Sequence, residues 1–423
     1  MIQRTSLNEW LSYLESMHPT EIDLGLDRIK QVAVHLHLDS IAKQVITVAG
    51  TNGKGTSCAF LEAYSQRLKK RVGLYTSPHL IRFNERVRIN GQEASDQELI
   101  SAFERVEEAR GEVSLTYFEF TTLAAFVLFK DADLDVALLE IGLGGRLDAV
   151  NIIDPDLALV TSISVDHEAW LGSDIETIGR EKAGIYRSET PAVYGAEGGP
   201  LSVAEYATSI GARFYQAGTD YQVVPSADEW CWANKSSELL NGASLTHIKF
   251  PAFSVQNVAT CICGLASLGW PLDTQDVNWA IEHAVIRGRM ETFNHQGVSG
   301  WLDVAHNPDA AKYLARQLQS KVNSDHRTVA IFGSMADKDI EGVIEELKAS
   351  FDAWLCINLP LDRALSSEAL AQIVDKKGLS AQHFTDFESA FAEFKSSYDL
   401  HTDKLVVLGS FFTVAEAILY YER

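Results

Sequence analysis

Little in this chain of 423 residues ties it to an oxidising compartment, a membrane or a polyanion. It holds only five cysteines, an odd number: Cys58, Cys231, Cys261, Cys263 and Cys356. Only Cys261 and Cys263 lie close together, as C-x-C inside an apolar helix-like run, and nothing joins them at zinc spacing. Free thiols in a reducing compartment are therefore expected. No apolar run approaches ~18 residues, so no membrane span is expected. The stretch from Met1 to Met17 has a helical pattern with acidic residues and lacks the apolar segment of a signal peptide. A cytoplasmic protein is expected. Basic residues are in deficit, 36 against 58 acidic ones, for a formal net charge of −22. That surface disfavours nucleic acid and anionic membranes, so an anionic nucleotide would have to be held by a local site. Low-complexity tracts and short-period repeats are also missing.

What is there describes a globular protein. Hydrophobic residues make up 46%, and the length allows two domains with a core each. Residues 45–49 read as a strand and 56–70 as a helix, with Phe60, Leu61, Tyr64 and Leu68 on one face. Val72–Ser77 reads as a short strand stopped by Pro78, and helices are expected around Asp96–Arg110 and Phe120–Lys130. Leu134–Ile141 and Leu157–Ile163 are almost wholly apolar, as buried parallel strands are. Residues 196–250 are polar and read as an inserted β-rich region, after which Ser254–Leu268 and Asp276–Ala284 return to helix. A second βα series runs through Trp301–Val304, Val329–Gly333, Trp354–Ile357 and Lys404–Leu408. The expected fold class is α/β: a doubly wound, mostly parallel P-loop domain over residues 1–290, and a smaller Rossmann-like α/β domain over 298–423.

The densest chemical signal is Val48-Ala49-Gly50-Thr51-Asn52-Gly53-Lys54-Gly55-Thr56. Its small residues let backbone N–H groups surround a phosphate, its lysine brings a charge, and its threonine can hold Mg²⁺. The ordinary pattern G-x-x-x-x-G-K-[ST] would place glycine at 48 and a hydroxyl at 55, where this chain has Val48 and Gly55. In an open parallel sheet ligands bind beyond the carboxyl ends of the strands. The other strands of the first series run into Ser77-Pro78-His79, into Glu140 followed by Gly142–Asp148, and into Asp166-His167. Hard oxygen ligands and an imidazole around a triphosphate suit a Mg²⁺ site. Singly, each has a plainer reading: Ser77 as a turn residue, His167 as structural, Asp148 as a helix cap, Lys182 as a helix-surface lysine. Glu140 resists one, because an acid ending an apolar strand is costly unless paired. In the second series Asp303–Pro308, Gly333–Asp339 and Gly409-Ser410 stand at strand ends, as helix caps or as part of a site.

These residues resemble the folylpolyglutamate synthase/dihydrofolate synthase family, which is related to the Mur ligases. The likeness is carried by Ile22–Leu26, Gly50–Thr56, Ser77–Leu80, Leu115–Glu119, Glu140–Asn151, Asp166-His167, Glu181–Ile185, Gly288-Arg289 and Asp303–Pro308, and runs from about residue 9 to 420. It implies an ATP- and Mg²⁺-dependent ligase that joins L-glutamate to dihydropteroate and adds glutamates to reduced folates. By likeness, Thr51, Asn52, Gly53, Lys54, Gly55 and Thr56 bind the ATP phosphates, and Asn257, Arg289 and Asp303 also contact ATP. Ser77, Glu140 and His167, with Thr56 near, hold one or two Mg²⁺. Lys182 is carbamylated by CO₂, which turns a cation into a carboxylate-like ligand. Asp23, Leu24, Gly25 and Leu26, then Thr116, Tyr117, Phe118 and Glu119, then Leu147, Asp148 and Ala149 line the pterin site. His306 and Ser410 sit near the incoming glutamate. A monomer is implied, with no nucleic-acid or membrane partner. Two departures stand out: Val150 where relatives often carry threonine, and Phe412 where they often carry histidine.

A carboxylate is a poor acylating agent, so the implied reaction first transfers the γ-phosphate to it, which calls for charge neutralisation by Lys54 and Mg²⁺. The glutamate amine then attacks the acyl phosphate. Protecting that species from water calls for hinge closure. Three alternatives stay open: folylpolyglutamate synthesis alone, another Mur-type amide ligase, and a P-loop ATPase acting on a protein partner. Mur-type enzymes usually carry a further N-terminal domain, for which a phosphate loop at residue 50 leaves no room.

Overall fold

The computed structural model describes residues 4–20, 22–321 and 326–423. They divide into two compact units, Met1–Val285 and Ile286–Arg423. No helix among the described residues is long and apolar enough to cross a membrane.

The first unit is built on an eight-stranded sheet. Its strands are β1 (Val45–Ala49), β2 (Val72–Tyr75), β3 (Val87–Ile89), β4 (Gln92–Glu93), β5 (Val136–Glu140), β6 (Leu157–Val160), β7 (Pro191–Tyr194) and β8 (Arg213–Gln216). Their order is β4-β3-β2-β5-β1-β6-β7-β8. The six strands from β2 to β8 pair in parallel, and β3 and β4 close one edge antiparallel. Every residue of β1, β5 and β6 is buried, which is why these segments read as continuous apolar runs. The order reverses at β1, with β2 and β5 on one side and β6 on the other. A sheet of this kind binds ligands at such a switch point.

The helix after the phosphate loop, Lys54–Arg67, was expected to bury one face. It is instead buried all round from Thr56 to Ser65, because it is covered by the sheet and by the helices Val255–Ser267 and Thr274–His283. The expected β-rich region 196–250 is only partly so. The helix Leu201–Ser209 opens it, β8 joins the main sheet, and a separate antiparallel sheet follows: β9 (Tyr221–Pro225), β10 (Glu229–Asn234) and β11 (Leu245–Lys249). The helix was hidden in the sequence because its first residue, Leu201, is exposed and blurs the apolar face.

The second unit holds a six-stranded sheet of β12 (Glu291–His295), β13 (Val298–Asp303), β14 (Thr328–Phe332), β15 (Ala353–Ile357), β16 (Ala381–Phe384) and β17 (Lys404–Leu408). The order is β12-β13-β17-β14-β15-β16, parallel except for β12. The four inner strands are those read from the sequence. The two edge strands, β12 and β16, have no fully buried residue and so present no apolar run to read.

Candidate active site

The phosphate loop starts where β1 ends. Gly50 has φ +143°, and a Cβ there would lie 1.9 Å from Thr161 Oγ1; Gly53 has φ +92°, and a Cβ would lie 2.5 Å from Asn257 Nδ2. Both positions therefore demand glycine. Thr51 N–H donates to the Ser162 carbonyl at 2.7 Å, Thr51 Oγ1 to the Ser164 carbonyl at 2.9 Å, and Thr161 Oγ1 to the Asn52 carbonyl at 2.7 Å. The segment after β6 thus straps the loop in place. It can do so because β6 ends at Val160 rather than at the expected Ile163.

Gly53 is the N-cap of the helix Lys54–Arg67 and supplies no side-chain cap. The first N–H groups of that helix, and the positive end of its dipole, are left for an anion. Lys54 Nζ folds back on the Gly50 and Thr51 carbonyls at 3.0 and 3.3 Å. Thr56 Oγ1 donates to the Gly53 carbonyl at 2.9 Å and accepts from Asn257 Nδ2 at 2.7 Å. The sequence-predicted phosphate residues and Asn257 are thereby brought together.

Glu140 ends β5, one strand from the loop, and is 5% exposed. The Ser77 N–H donates to its Oε2 at 3.2 Å. A Cβ added to Gly55 would stand 3.8 Å from both Glu140 oxygens. The missing side chain at 55 therefore keeps open the space in front of a buried carboxylate. Glu140, Ser77 and Thr56 offer hard oxygens there, the donor chemistry Mg²⁺ takes. Among the described residues no three His, Cys, Asp or Glu side chains form a ready metal cage. Mg²⁺ needs none, since it keeps waters and shares substrate phosphates. His167 lies seven residues beyond the end of β6, in the left-handed region at φ +55°, with a half-exposed ring 4.0 Å from Asp166.

Lys182 is not a surface lysine. It is 5% exposed, and its Nζ donates to the Gly50 carbonyl at 3.2 Å, the oxygen that Lys54 also reaches. Burial, and then the charge of Lys54, lower its pKa to about 7 against the pull of Asp166 and Asp148. An amine whose neutral form is well populated near pH 7, buried beside the phosphate loop, is competent to take up CO₂.

The three segments expected to line a pterin site are mutually linked. Thr116 and Glu119 cap the helix Tyr117–Asp131 reciprocally, with Glu119 Oε2 accepting the Thr116 N–H at 2.8 Å. A Cβ on Gly142 would lie 2.7 Å from the Phe118 ring, so that ring sits on the loop leading to Leu147, Asp148 and Ala149. Asp148 is buried and accepts N–H bonds from Leu143 at 2.8 Å and Val150 at 2.9 Å, and burial raises its pKa to about 6. It is therefore a turn cap as well as a candidate site acid. Val150, the departure from the family pattern, is fully buried. Arg28 joins Asp23, in the segment Asp23–Leu26, to Glu119.

In the second unit Asp303 ends β13. Its carboxylate accepts from the N–H groups of Met290 and Ala305, each at 2.9 Å, and burial raises its pKa against the charge of Arg289. His306 Nδ1 lies 2.8 Å from the Val304 carbonyl, which can only accept, so the ring's proton sits on Nδ1. Arg289 and His306 both approach the Phe411 ring, at 6.0 and 6.2 Å. Ser410 Oγ accepts the Thr413 N–H at 3.0 Å and caps the helix Phe411–Tyr421. Phe412, the other departure, is exposed.

Sequence reasoning missed Thr161, Ser162 and Ser164, Arg28 and Phe411. A run of hydroxyls directly after an apolar strand was the readable sign of the first three. Nothing local marks the other two.

Comparisons with known proteins bear on the family. Residues 288–411 match the family model described as Mur ligase, glutamate ligase domain. The dihydrofolate synthase/folylpolyglutamate synthase of Escherichia coli (strain K12) is 40% identical over 412 residues, 97% of this chain and 94% of that protein. The structure of E. coli FolC in complex with DHPP and ADP superimposes with a TM-score of 0.93 at 39% identity, covering 99% of this chain and 98% of that one. The Yersinia pestis bifunctional folylpolyglutamate synthase/dihydrofolate synthase complexed with AMPPNP and Mn ion gives a TM-score of 0.92 at 42% identity, covering 99% and 98%. With likeness of this level over nearly the whole length, the chain belongs to the dihydrofolate synthase/folylpolyglutamate synthase family.

Proposed function

We propose that this chain is an ATP-dependent ligase that joins L-glutamate to dihydropteroate, giving dihydrofolate, and adds further glutamates to reduced folates. The observation that carries the reading is the uncapped helix start at Gly53, with Lys54 and Thr56 on it and the buried Glu140 carboxylate one strand away. Residues 1–290 take ATP and the pterin, and residues 298–423 take the glutamate.

The loop Thr51–Thr56, through the N–H groups at the helix start and the Lys54 ammonium, holds the ATP phosphates beside Asn257, and Arg289 and Asp303 are the further ATP contacts that the family likeness implies. Ser77, Glu140, His167, Thr56 and a carbamylated Lys182 would hold Mg²⁺, which when bound neutralises phosphate charge. Asp23–Leu26, Thr116–Glu119 and Leu147–Ala149 orient the acceptor so that its carboxylate oxygen faces the γ-phosphorus in line with the leaving ADP oxygen. Lys54 stabilises the charge that spreads over the transferring phosphoryl group. The product is an acyl phosphate. The glutamate nitrogen attacks its carbonyl carbon, the tetrahedral intermediate expels phosphate, and the amine proton passes to His306 Nε2. Ser410 contributes by capping the helix that carries Phe411 beside His306.

The test is direct. The purified protein is incubated with ATP, Mg²⁺, L-glutamate and either dihydropteroate or tetrahydrofolate, and phosphate release and product mass are followed. Both acceptors should stimulate phosphate release and gain one glutamate. Stimulation by neither rejects the ligase reading, and stimulation by the folate alone removes the first activity.

A further inference from the structure

Arg28 is the second residue of the helix Asp27–His35 and ties together two stretches that are distant in sequence. Its Nη1 donates to Asp23 Oδ2 at 2.7 Å, and its Nη2 donates to the Asp23 carbonyl at 2.9 Å and to Glu119 Oε1 at 3.3 Å. The Glu119 side chain is 4% exposed. Its other oxygen is committed to the Thr116 N–H. His18 lengthens the chain of contacts, with Nε2 3.3 Å from Asp23 Oδ2 and Nδ1 2.8 Å from Ser114 Oγ. Arg28 is thus the member of this network that reaches both Asp23 and Glu119. The guanidinium fork suits the task, because one planar group can serve two carboxylates at fixed angles.

From this we infer that Arg28 is a positioning residue for the acceptor, holding Asp23–Leu26 against Thr116–Glu119 and so setting the affinity for dihydropteroate. The inference rests on the pterin-site reading above. Arg28 acts through the two segments, without touching the reacting atoms. Dihydropteroate has no glutamate tail, so its binding draws only on the ring and the benzoate. A reduced folate already carrying glutamate has further contacts to draw on and should suffer less.

The experiment compares steady-state kinetics of the full chain with those of Arg28→Met, Arg28→Lys and the double variant Arg28→Met/Glu119→Gln. Arg28→Met should raise KM for dihydropteroate about tenfold or more, in keeping with what small misplacements of binding groups cost, while kcat changes less than about threefold. KM for ATP should stay within about twofold of the parent, and the rise for tetrahydrofolate should be smaller than for dihydropteroate. Arg28→Lys should fall between parent and Met, since one ammonium cannot serve both carboxylates. Arg28→Met leaves Glu119 buried and unpaired and can unfold the chain for that reason alone. The double variant removes that charge, so its melting temperature should recover while KM for dihydropteroate stays high. Recovery of KM together with stability, a KM for dihydropteroate within about twofold of the parent, or an equal rise for ATP or the folate overturns the inference. A parent enzyme with no activity on dihydropteroate overturns the functional reading and the inference together, whereas an active parent with unaffected variants overturns the inference alone.

Discussion

Two helices begin at the carboxyl ends of parallel strands, one in each unit, and their first turns are used in opposite ways. The helix Phe411–Tyr421 follows β17 and is closed by Ser410, whose hydroxyl takes the Thr413 N–H; Thr413 Oγ1 in turn donates to the Gly333 carbonyl at 2.7 Å. Both hydroxyls there are committed to the protein's own backbone or to each other. The helix Lys54–Arg67 follows β1 and has a glycine where the cap would be. Its lysine is held only by loop carbonyls, which a phosphate can displace as partners of the ammonium. Similar residues at the same topological place can therefore build a scaffold or a binding site. What separates them is whether the first helical N–H groups already have side-chain partners.

The comparison is tested hardest at Lys54. If the open helix start is the phosphate site, Lys54→Ala should lower turnover on the order of 10³-fold, because a charge aimed at the transferring phosphoryl group is lost. The fold should survive, with melting within a few degrees of the parent, since Lys54 bonds only to its own loop. Turnover close to the parent's would place the phosphates elsewhere.

Lys182 sharpens the same contrast, since it too donates to the Gly50 carbonyl. Lys182→Ala should slow turnover about 10²-fold or more, the range of a lost electrostatic group. Activity near normal would remove the carbamate from the mechanism. With its pKa at about 7, roughly half of the side chains are neutral at pH 7, against fewer than about one in a thousand at an ordinary lysine pKa. Only the neutral amine takes up CO₂. The ¹³C signal of a lysine carbamate in ¹³CO₂-treated protein should therefore grow between pH 6 and 8, and be absent in Lys182→Ala. The sign for stability is also set. A folded-state lysine pKa below the unfolded one weighs against folding below about pH 7, and the penalty is relieved as pH rises toward 10.5. Without CO₂, Lys182→Met should accordingly melt no lower than the parent at pH 6.

How much of this could be read beforehand depended on where each residue's partners lie. The buried strands β1, β5 and β6 announced themselves, because being covered on both faces forces an apolar run. The phosphate loop did so too, because its glycines answer to contacts at Thr161 and Asn257 that no other residue tolerates. Glu140 was legible as an acid that burial would make costly. Lys182 was legible only through family resemblance, since its burial comes from the fold around it and the local helix pattern reads as surface. Ser410 and Asp148 also read as caps, and both residues do cap. Arg28 left no local sign, because its two partners lie 5 and 91 positions away. Edge strands β12 and β16 were lost for want of burial.

Smaller effects should separate the two helix starts more finely. Gly55 has no positive φ, and a methyl there meets only ordinary contacts, so Gly55→Ala should fold normally. The methyl would stand against the Glu140 carboxylate, so the Mg²⁺ concentration for half-maximal rate should rise about tenfold, the equivalent of roughly 1.4 kcal/mol. An unchanged Mg²⁺ requirement would move the metal away from Glu140. At the other helix the expected change is in stability rather than chemistry. Ser410→Ala removes a cap worth about 1 kcal/mol, and denaturant unfolding should register that loss. KM for L-glutamate should change less than about threefold, because the hydroxyl is already spoken for by Thr413. A tenfold rise in that KM with little loss of stability would instead make Ser410 a direct glutamate contact, and the second helix start would then join the first as a binding site rather than stand against it as scaffold.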